Sequence, residues 1–129
     1  MVKTGERKMI YEASCGEGDL RVWGTAVPCG NDIHITLLGG TAPHVGAVSL
    51  AVYEPERNSA TVSTMTVYSH RDDTCTALCA KKVSSALRCT ACVNAGIHVD
   101  NASAEDLQTL LANAGRCCDM LIEQISKKN

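Results

Sequence analysis

Two periods divide the chain. Up to Tyr68, apolar side chains alternate with small or polar ones, the spacing of two that a strand with one buried face imposes. Lys8–Ala13 predicts a short first strand, and Cys15-Gly16-Glu17-Gly18-Asp19 predicts a turn. Leu20–Val27 predicts a second strand, closed by Pro28-Cys29-Gly30-Asn31-Asp32. In the third, Ile33–Leu38, Ile33, Ile35 and Leu37 stand against His34, Thr36 and Leu38, and Gly39-Gly40-Thr41-Ala42-Pro43-His44 interrupts the pattern. Val45–Tyr53 and Ala60–Tyr68 follow as strands, parted by the polar turn Glu54-Pro55-Glu56-Arg57-Asn58. On Val45–Tyr53, Val48, Leu50 and Val52 share one side and Ala47, Ser49 and Ala51 the other.

The period then becomes 3.6. Cys75, Leu78, Cys79, Val83, Ala86 and Leu87 fall on one face of a helix over Arg71–Leu87, and Ser69 with Asp72 has the spacing of a capping box at its start. Cys89–Ile97 returns to strand. Ser103 with Asp106 repeats the capping signature ahead of a helix over Ala104–Ser126, whose apolar face runs through Leu107, Leu110, Leu111, Ala114, Cys118, Leu121 and Ile125. Lys127 and Lys128 suit the negative pole at its end. Leu78, Val83, Leu107, Leu111, Leu121 and Ile125 are the expected buried contacts. The order βββββαβα, with no linker or repeat, predicts a single α+β domain over residues 1–129, with both helices on one face of an antiparallel-rich sheet.

Composition narrows the functions. With 129 residues, 45% hydrophobic and 20% charged, the chain is a folded domain rather than a disordered one. A formal charge of -2 argues against a phosphate-backbone binder, and one Trp, three Tyr and no Phe leave almost nothing for bases to stack on. No nucleic acid is expected as a partner. No apolar run reaches the roughly 18 residues that span a bilayer, and Met1–Tyr11 carries no apolar signal core, so no membrane partner and a cytoplasmic location are expected.

Eight cysteines, about 6% of the chain, stay below the roughly 8–10% of disulfide-built scaffolds. Free thiols are the expectation in a reducing compartment. Cys89 and Cys92 form a C-x-x-C, but on a strand residues three apart face opposite sides and cannot share one ion. Cys75 and Cys79 read as small buried hydrophobes on a helix face. No metal site is expected; structural zinc is the alternative.

Direction along the sheet says where a site would lie. If the early strands alternate up and down, the third and fifth end at the same edge, and the first helix returns the chain so that the sixth ends there too. Three loops then meet: 39–46, 68–73 and 96–101. They carry His44, His70, His98, Asp100 and Asn101, and both helices start beside them. Helix starts offer unpaired N–H groups, which suits an anionic group such as a phosphate or carboxylate. His98 and Asp100 alternate on one side of a strand end, so a hydrogen-bonded pair is geometrically easy. Plainer readings stand beside these: Gly39-Gly40 turning a hairpin only, Pro43 stiffening its loop only, and His70 and His34 meeting solvent. There is no nucleotide-binding glycine fingerprint and no nucleophile elbow.

Gly39-Gly40-Thr41-Ala42-Pro43-His44-Val45-Gly46-Ala47-Val48 resembles the G-G-x-x-P-H-[IV]-G-A-V block of the prenylated-flavin chaperone-like family, which includes the D subunit of gallate decarboxylase. Ser69-His70-Arg71-Asp72, Gly96-Ile97-His98-Val99-Asp100-Asn101 and Ala104-Glu105-Asp106 are similar to that family's second half. The resemblance covers the chain from about Leu20 onward; the cysteines and the N-terminal nineteen residues match no part of it. It implies a bacterial protein with a fold like that of the eukaryotic proteasome assembly chaperones, which are α+β dimers. It also implies a non-catalytic accessory subunit or chaperone of a UbiD-type hydroxyarylic acid decarboxylase. Such a subunit would bind or deliver prenylated FMN or assist assembly, as a homodimer, with the decarboxylase and a flavin prenyltransferase as partners. The cofactor-binding residues implied are Gly39, Gly40, Pro43, His44, Gly46, His70, Gly96, His98, Asp100 and Asn101, with no catalytic residue. The alternatives are an assembly module with no ligand and a small enzyme using His98 and Asp100.

Overall fold

Alternation and its interruptions become six strands and two helices in the computed structural model, which describes residues 9–67 and 72–128. The elements are β1 (Tyr11–Cys15), β2 (Val22–Cys29), β3 (Asp32–Gly40), β4 (Ala47–Glu54), β5 (Ser59–Thr66), α1 (Asp73–Leu87), β6 (Ala91–His98) and α2 (Ala104–Lys128), with a short 3-10 turn over Gly18–Leu20. Lys8, Tyr68, Ser69, His70 and Arg71 lie outside the described residues, and with them the expected capping serine and one candidate histidine. The fold is α+β, a mixed and mostly antiparallel sheet with two helices.

The strand order is β1-β2-β3-β6-β4-β5, so the early strands are not a simple meander. β6 inserts between β3 and β4, parallel to the first and antiparallel to the second. Its inward residues Ala91, Val93 and Ala95 are fully buried, as a central strand beneath helices requires. Directions still follow the up-and-down count. β3 is parallel to β6, and β5 is antiparallel to β4, so β3, β5 and β6 all end at one edge.

The register joins Gly24, Leu37, Ala95 and Ala47 into one row, with Ser49 two residues further along β4 on the same face. The α2 side chains Cys117 and Leu121 crowd the space beside Gly24, and α1 meets Ser49 through Thr76. α1 packs over β4, β5 and β6, and α2 over β1 and β2. The core lies between these helices and the inward rows Val22–Ala26, Ile33–Leu37 and Ala91–Ala95.

Three expected core residues lie outside it. Leu78 is 57% exposed, Leu107 58% and Leu111 40%, whereas Val83, Leu121 and Ile125 are buried. Small polar side chains displace Leu78. The inner face of α1 is Cys75, Thr76, Cys79, Ala80, Val83 and Ser84. Thr76 accepts from Ser49 at 2.8 Å, and Ser84 donates to the Cys89 carbonyl at 2.6 Å, so both hydroxyls are buried with partners. In α2, Asn113, 2% exposed, donates to the Leu20 carbonyl at 2.8 Å and occupies interior space in the same way. Leu107 falls ahead of Leu110, the first buried residue of α2. The Ser103–Asp106 capping box forms in full, each backbone N–H bonding the other's side chain at 3.1 and 3.0 Å.

Four of the cysteines, Cys75, Cys79, Cys117 and Cys118, are buried. The neighbouring Cys79 sulfur and burial push the Cys75 and Cys118 thiols upward, and burial pushes Cys117 up to about 11. Cys75, Cys117 and Cys118 are therefore inert, protonated core groups, whereas hydrogen bonds from the Cys118 and Cys75 thiols hold Cys79 below its ordinary value. β6 begins at Ala91, two residues later than expected, and Cys89 packs against the core while Cys92 lies on the opposite face. Among the described residues, no three His, Cys, Asp or Glu side chains are grouped to hold a metal ion.

Candidate functional site

The common edge of β3, β5 and β6 brings two histidines together. The His44 and His98 rings stand edge to face, centroids 6.3 Å apart. The connection from β3 to β4 must cross the end of β6, and it does so through main-chain bonds. Thr41 and Ala42 donate to the His98 carbonyl at 2.7 and 3.2 Å, His44 to the Gly96 carbonyl at 3.4 Å, and Gly46 to the Ala95 carbonyl at 2.8 Å.

Glycine makes this crossing possible. A Cβ on Gly96 would lie 1.4 Å from the His44 carbonyl oxygen, so no side chain fits beneath the loop. Gly40 turns the chain at φ +78°, and a Cβ there would strike the His98 carbonyl. Gly46 leaves room for a carboxylate, that of Asp72, whose Oδ2 would be 2.0 Å from any Cβ. Gly39 is different: it faces inward opposite Val22 and serves packing, away from the imidazoles.

Asp72 is the residue that sequence reasoning missed. It stands at the N-cap of α1 but makes no side-chain cap bond. Its Oδ1 instead accepts the Ile97 N–H at 3.2 Å, and its Oδ2 lies 3.2 Å from His44 Nε2. Ile97 lies two residues beyond Ala95, the last β6 residue paired to β4, so the carboxylate supplies the acceptor that a longer β4 would have offered. Its side chain is 9% exposed against 23% for His44. The available signal was the acidic residue in Ser69-His70-Arg71-Asp72, whose spacing pointed to capping alone.

His44 Nδ1 lies 3.1 Å from the Ala42 carbonyl, so both ring nitrogens face acceptors and the ring orientation is set from two sides. The expected His98–Asp100 pair forms at 2.8 Å and is open to solvent, with side chains 45% and 85% exposed. Asn101 adopts φ +56° just beyond it, and Pro43 lies exposed in the crossing loop. His70 lies outside the described residues.

Both helix starts set acidic side chains beside their first-turn N–H groups. In α2 the Asp106 N–H is taken by Ser103, and the first turn carries Glu105 and Asp106. In α1 the Thr76 N–H bonds the Asp72 carbonyl, and Asp73 follows the Asp72 cap. An anion at this edge would meet carboxylates at both helix ends, so its favourable contacts are the imidazoles.

A six-stranded sheet with one helical layer, and two carboxylate-held imidazoles on a glycine-permitted loop crossing, define a small two-layer α+β protein with a rim site. The chain belongs to the prenylated flavin chaperone LpdD-like domain family, whose model matches residues 16–126. Its fold is similar to that of a solved chain from a chaperone complex for yeast 20S proteasome assembly, at 13% sequence identity and a TM-score of 0.58, covering 87% of this chain and 94% of that one. No curated protein matches it. Among the described residues, no helix is long and apolar enough to cross a membrane.

Proposed function

We propose that this chain is a non-catalytic accessory subunit of a UbiD-type hydroxyarylic acid decarboxylase. It acts as a homodimer in the cytoplasm, holding prenylated FMN received from a flavin prenyltransferase and passing it to the decarboxylase. The observation that carries the reading is the His44–His98 pair, each ring beside its own carboxylate at the edge where the 41–46 and 96–101 loops meet. His98 turns one ring nitrogen to Asp100 and keeps the other for the acceptor-rich edge of a flavin ring or its phosphate, while His44, held at both nitrogens, fixes the loop beside it, and Gly40, Gly46 and Gly96 keep the main chain low beneath them. When bound, the cofactor supplies the electron-accepting ring that decarboxylation uses; His44, His98 and the loop only hold and shield it.

Thermal melts with prenylated FMN, FMN and inorganic phosphate test this. A ligand that binds only the folded chain raises the melting temperature by mass action. His98→Ala should weaken flavin binding about tenfold, the loss of one good hydrogen bond of about 1.4 kcal/mol, and His44→Ala should weaken it by releasing the 41–46 loop. No flavin binding at millimolar concentration, with or without the decarboxylase, refutes the ligand role. A second reading, an assembly module without ligand, is favoured by the exposed apolar side chains Leu50 and Val52 on β4 and Met65 on β5. It predicts a decarboxylase complex that is indifferent to flavin.

A further inference from the structure

The two helices meet along a seam that brings sulfur against sulfur. Cys118 of α2 reaches the main chain of α1, its Sγ 3.9 Å from the Cys79 carbonyl oxygen. Both residues belong to the core, Cys79 at 3% exposure and Cys118 at 0%. The Cys79 sulfur lies between two further thiols, accepting from Cys118 across the seam and from Cys75 one turn back on α1. Cys117, next in sequence to Cys118, turns elsewhere and bonds the Ala13 carbonyl at 3.4 Å.

Charge and open space lie on the solvent side of this pair. Lys82 of α1 and Asp119 of α2 bridge the same seam at 2.9 Å, both side chains reaching solvent. The Lys82 cation is near enough to favour negative charge on the Cys79 and Cys118 sulfurs. A Cβ on Gly115, one turn ahead of Cys118 on α2, would meet nothing within 4 Å.

We propose that Cys79 and Cys118 are a redox-active thiol pair, which a peroxide closes to a disulfide joining α1 to α2. Hydrogen peroxide, close to water in size, enters beside Lys82 and Gly115. The Cys79 sulfur, having given up its proton, attacks one oxygen of the peroxide. The O–O bond breaks, Cys79 becomes a sulfenic acid, and the other oxygen leaves with that proton as water. Cys118, inert by itself, then attacks the sulfenic sulfur. An S–S bond forms, the S–O bond breaks, and the hydroxyl takes the Cys118 proton as a second water. Two thiols are oxidised and one peroxide is reduced. Cys75 cannot replace Cys118, because four residues away on one helix its Cα–Cβ bond runs parallel to that of Cys79 instead of toward it. The disulfide closes residues 79–118 into one loop and fixes α1, with Asp72 at its start, against α2.

The test treats the folded full chain with millimolar hydrogen peroxide, blocks the remaining thiols with iodoacetamide, and maps disulfides in a non-reducing tryptic digest. Trypsin releases Cys79 in peptide 72–81 and Cys118 in peptide 117–127, and the two should appear joined and lighter by two hydrogens. The join should persist in Cys75→Ala and Cys117→Ala and vanish in Cys79→Ala and Cys118→Ala, with circular dichroism showing each variant folded. Closing so long a loop should raise the melting temperature of the oxidised parent by roughly 10 °C. Dithiothreitol should reverse the rise, and peroxide should produce none in Cys118→Ala. No joined peptide in the parent, a join that passes through Cys75 or Cys117, or one that forms only after unfolding in urea overturns the proposal. Oxidation of Cys79 beyond the sulfenic acid, with Cys118 left free, overturns it as well. The disulfide map needs no flavin, so its outcome is separate from that of the flavin titrations.

Discussion

Removing the Asp72 carboxylate should both destabilise the fold and release His44. Asp72→Ala deletes the hydrogen bond from Ile97 N at 3.2 Å and the carboxylate–imidazole ion-pair contact with His44 Nε2 at 3.2 Å. A hydrogen bond to a charged group contributes about 1.5–3 kcal/mol, and because the ion-pair contact shares the same carboxylate the two will not simply add. No capping term belongs in the sum, since the Asp72 side chain caps nothing. The expected cost is therefore about 2–4 kcal/mol, read as a shift in the urea midpoint at unchanged slope. Asp72→Asn keeps a carbonyl oxygen for Ile97 and loses only the charge, so it should cost about 1 kcal/mol. The ring signals of His44 should move in both variants, and the methyl signals of Val83, in the core, should not. If Asp72→Ala costs less than about 0.5 kcal/mol, the carboxylate does not anchor the loop and the account of the rim is wrong.

Gly96→Ala should displace the 41–46 loop, because its Cβ would overlap the His44 carbonyl; an unchanged His44–His98 contact by NMR would contradict the close crossing. Leu121→Ala, at a fully buried site, should cost about 2–5 kcal/mol, whereas Leu111→Ala, at 40% exposure, should cost under about 1 kcal/mol; equal losses would reverse the face assignment of α2. Burial holds Cys117 and Cys89 up to about 11 against an ordinary 9.0, so both should be slow to react with a disulfide reagent at pH 8, while exposed Cys29 reacts first. The same shift makes the unfolded chain lose these protons first, so the stability they contribute is intact below pH 9 and falls as pH rises from about 9 to 11; stability flat across that window would refute the burial of these thiols.

Local pattern by itself determined which segments are strands and helices, because alternation and the 3.6 period record which neighbours along the chain share a face. It also carried the Ser103–Asp106 cap and the His98–Asp100 pair, whose partners lie two or three residues apart. Strand direction needed only the count of reversals, so the meeting of the 39–46 and 96–101 loops was readable before any pairing was known. Tertiary structure alone decided the rest. β6 lies between β3 and β4 because small residues on a late strand suit the centre of the sheet, a choice made among segments more than forty residues apart, which no local period encodes. The same holds for β4, where the pattern separates Leu50 from Ser49 but cannot say which side α1 covers. Close approach of α1 selects the small side and turns the large one out. Asp72 looked like a cap in sequence and became an anchor in space, because the orphan N–H of Ile97 and the ring of His44 reach it only once β6 and the crossing loop are folded against it.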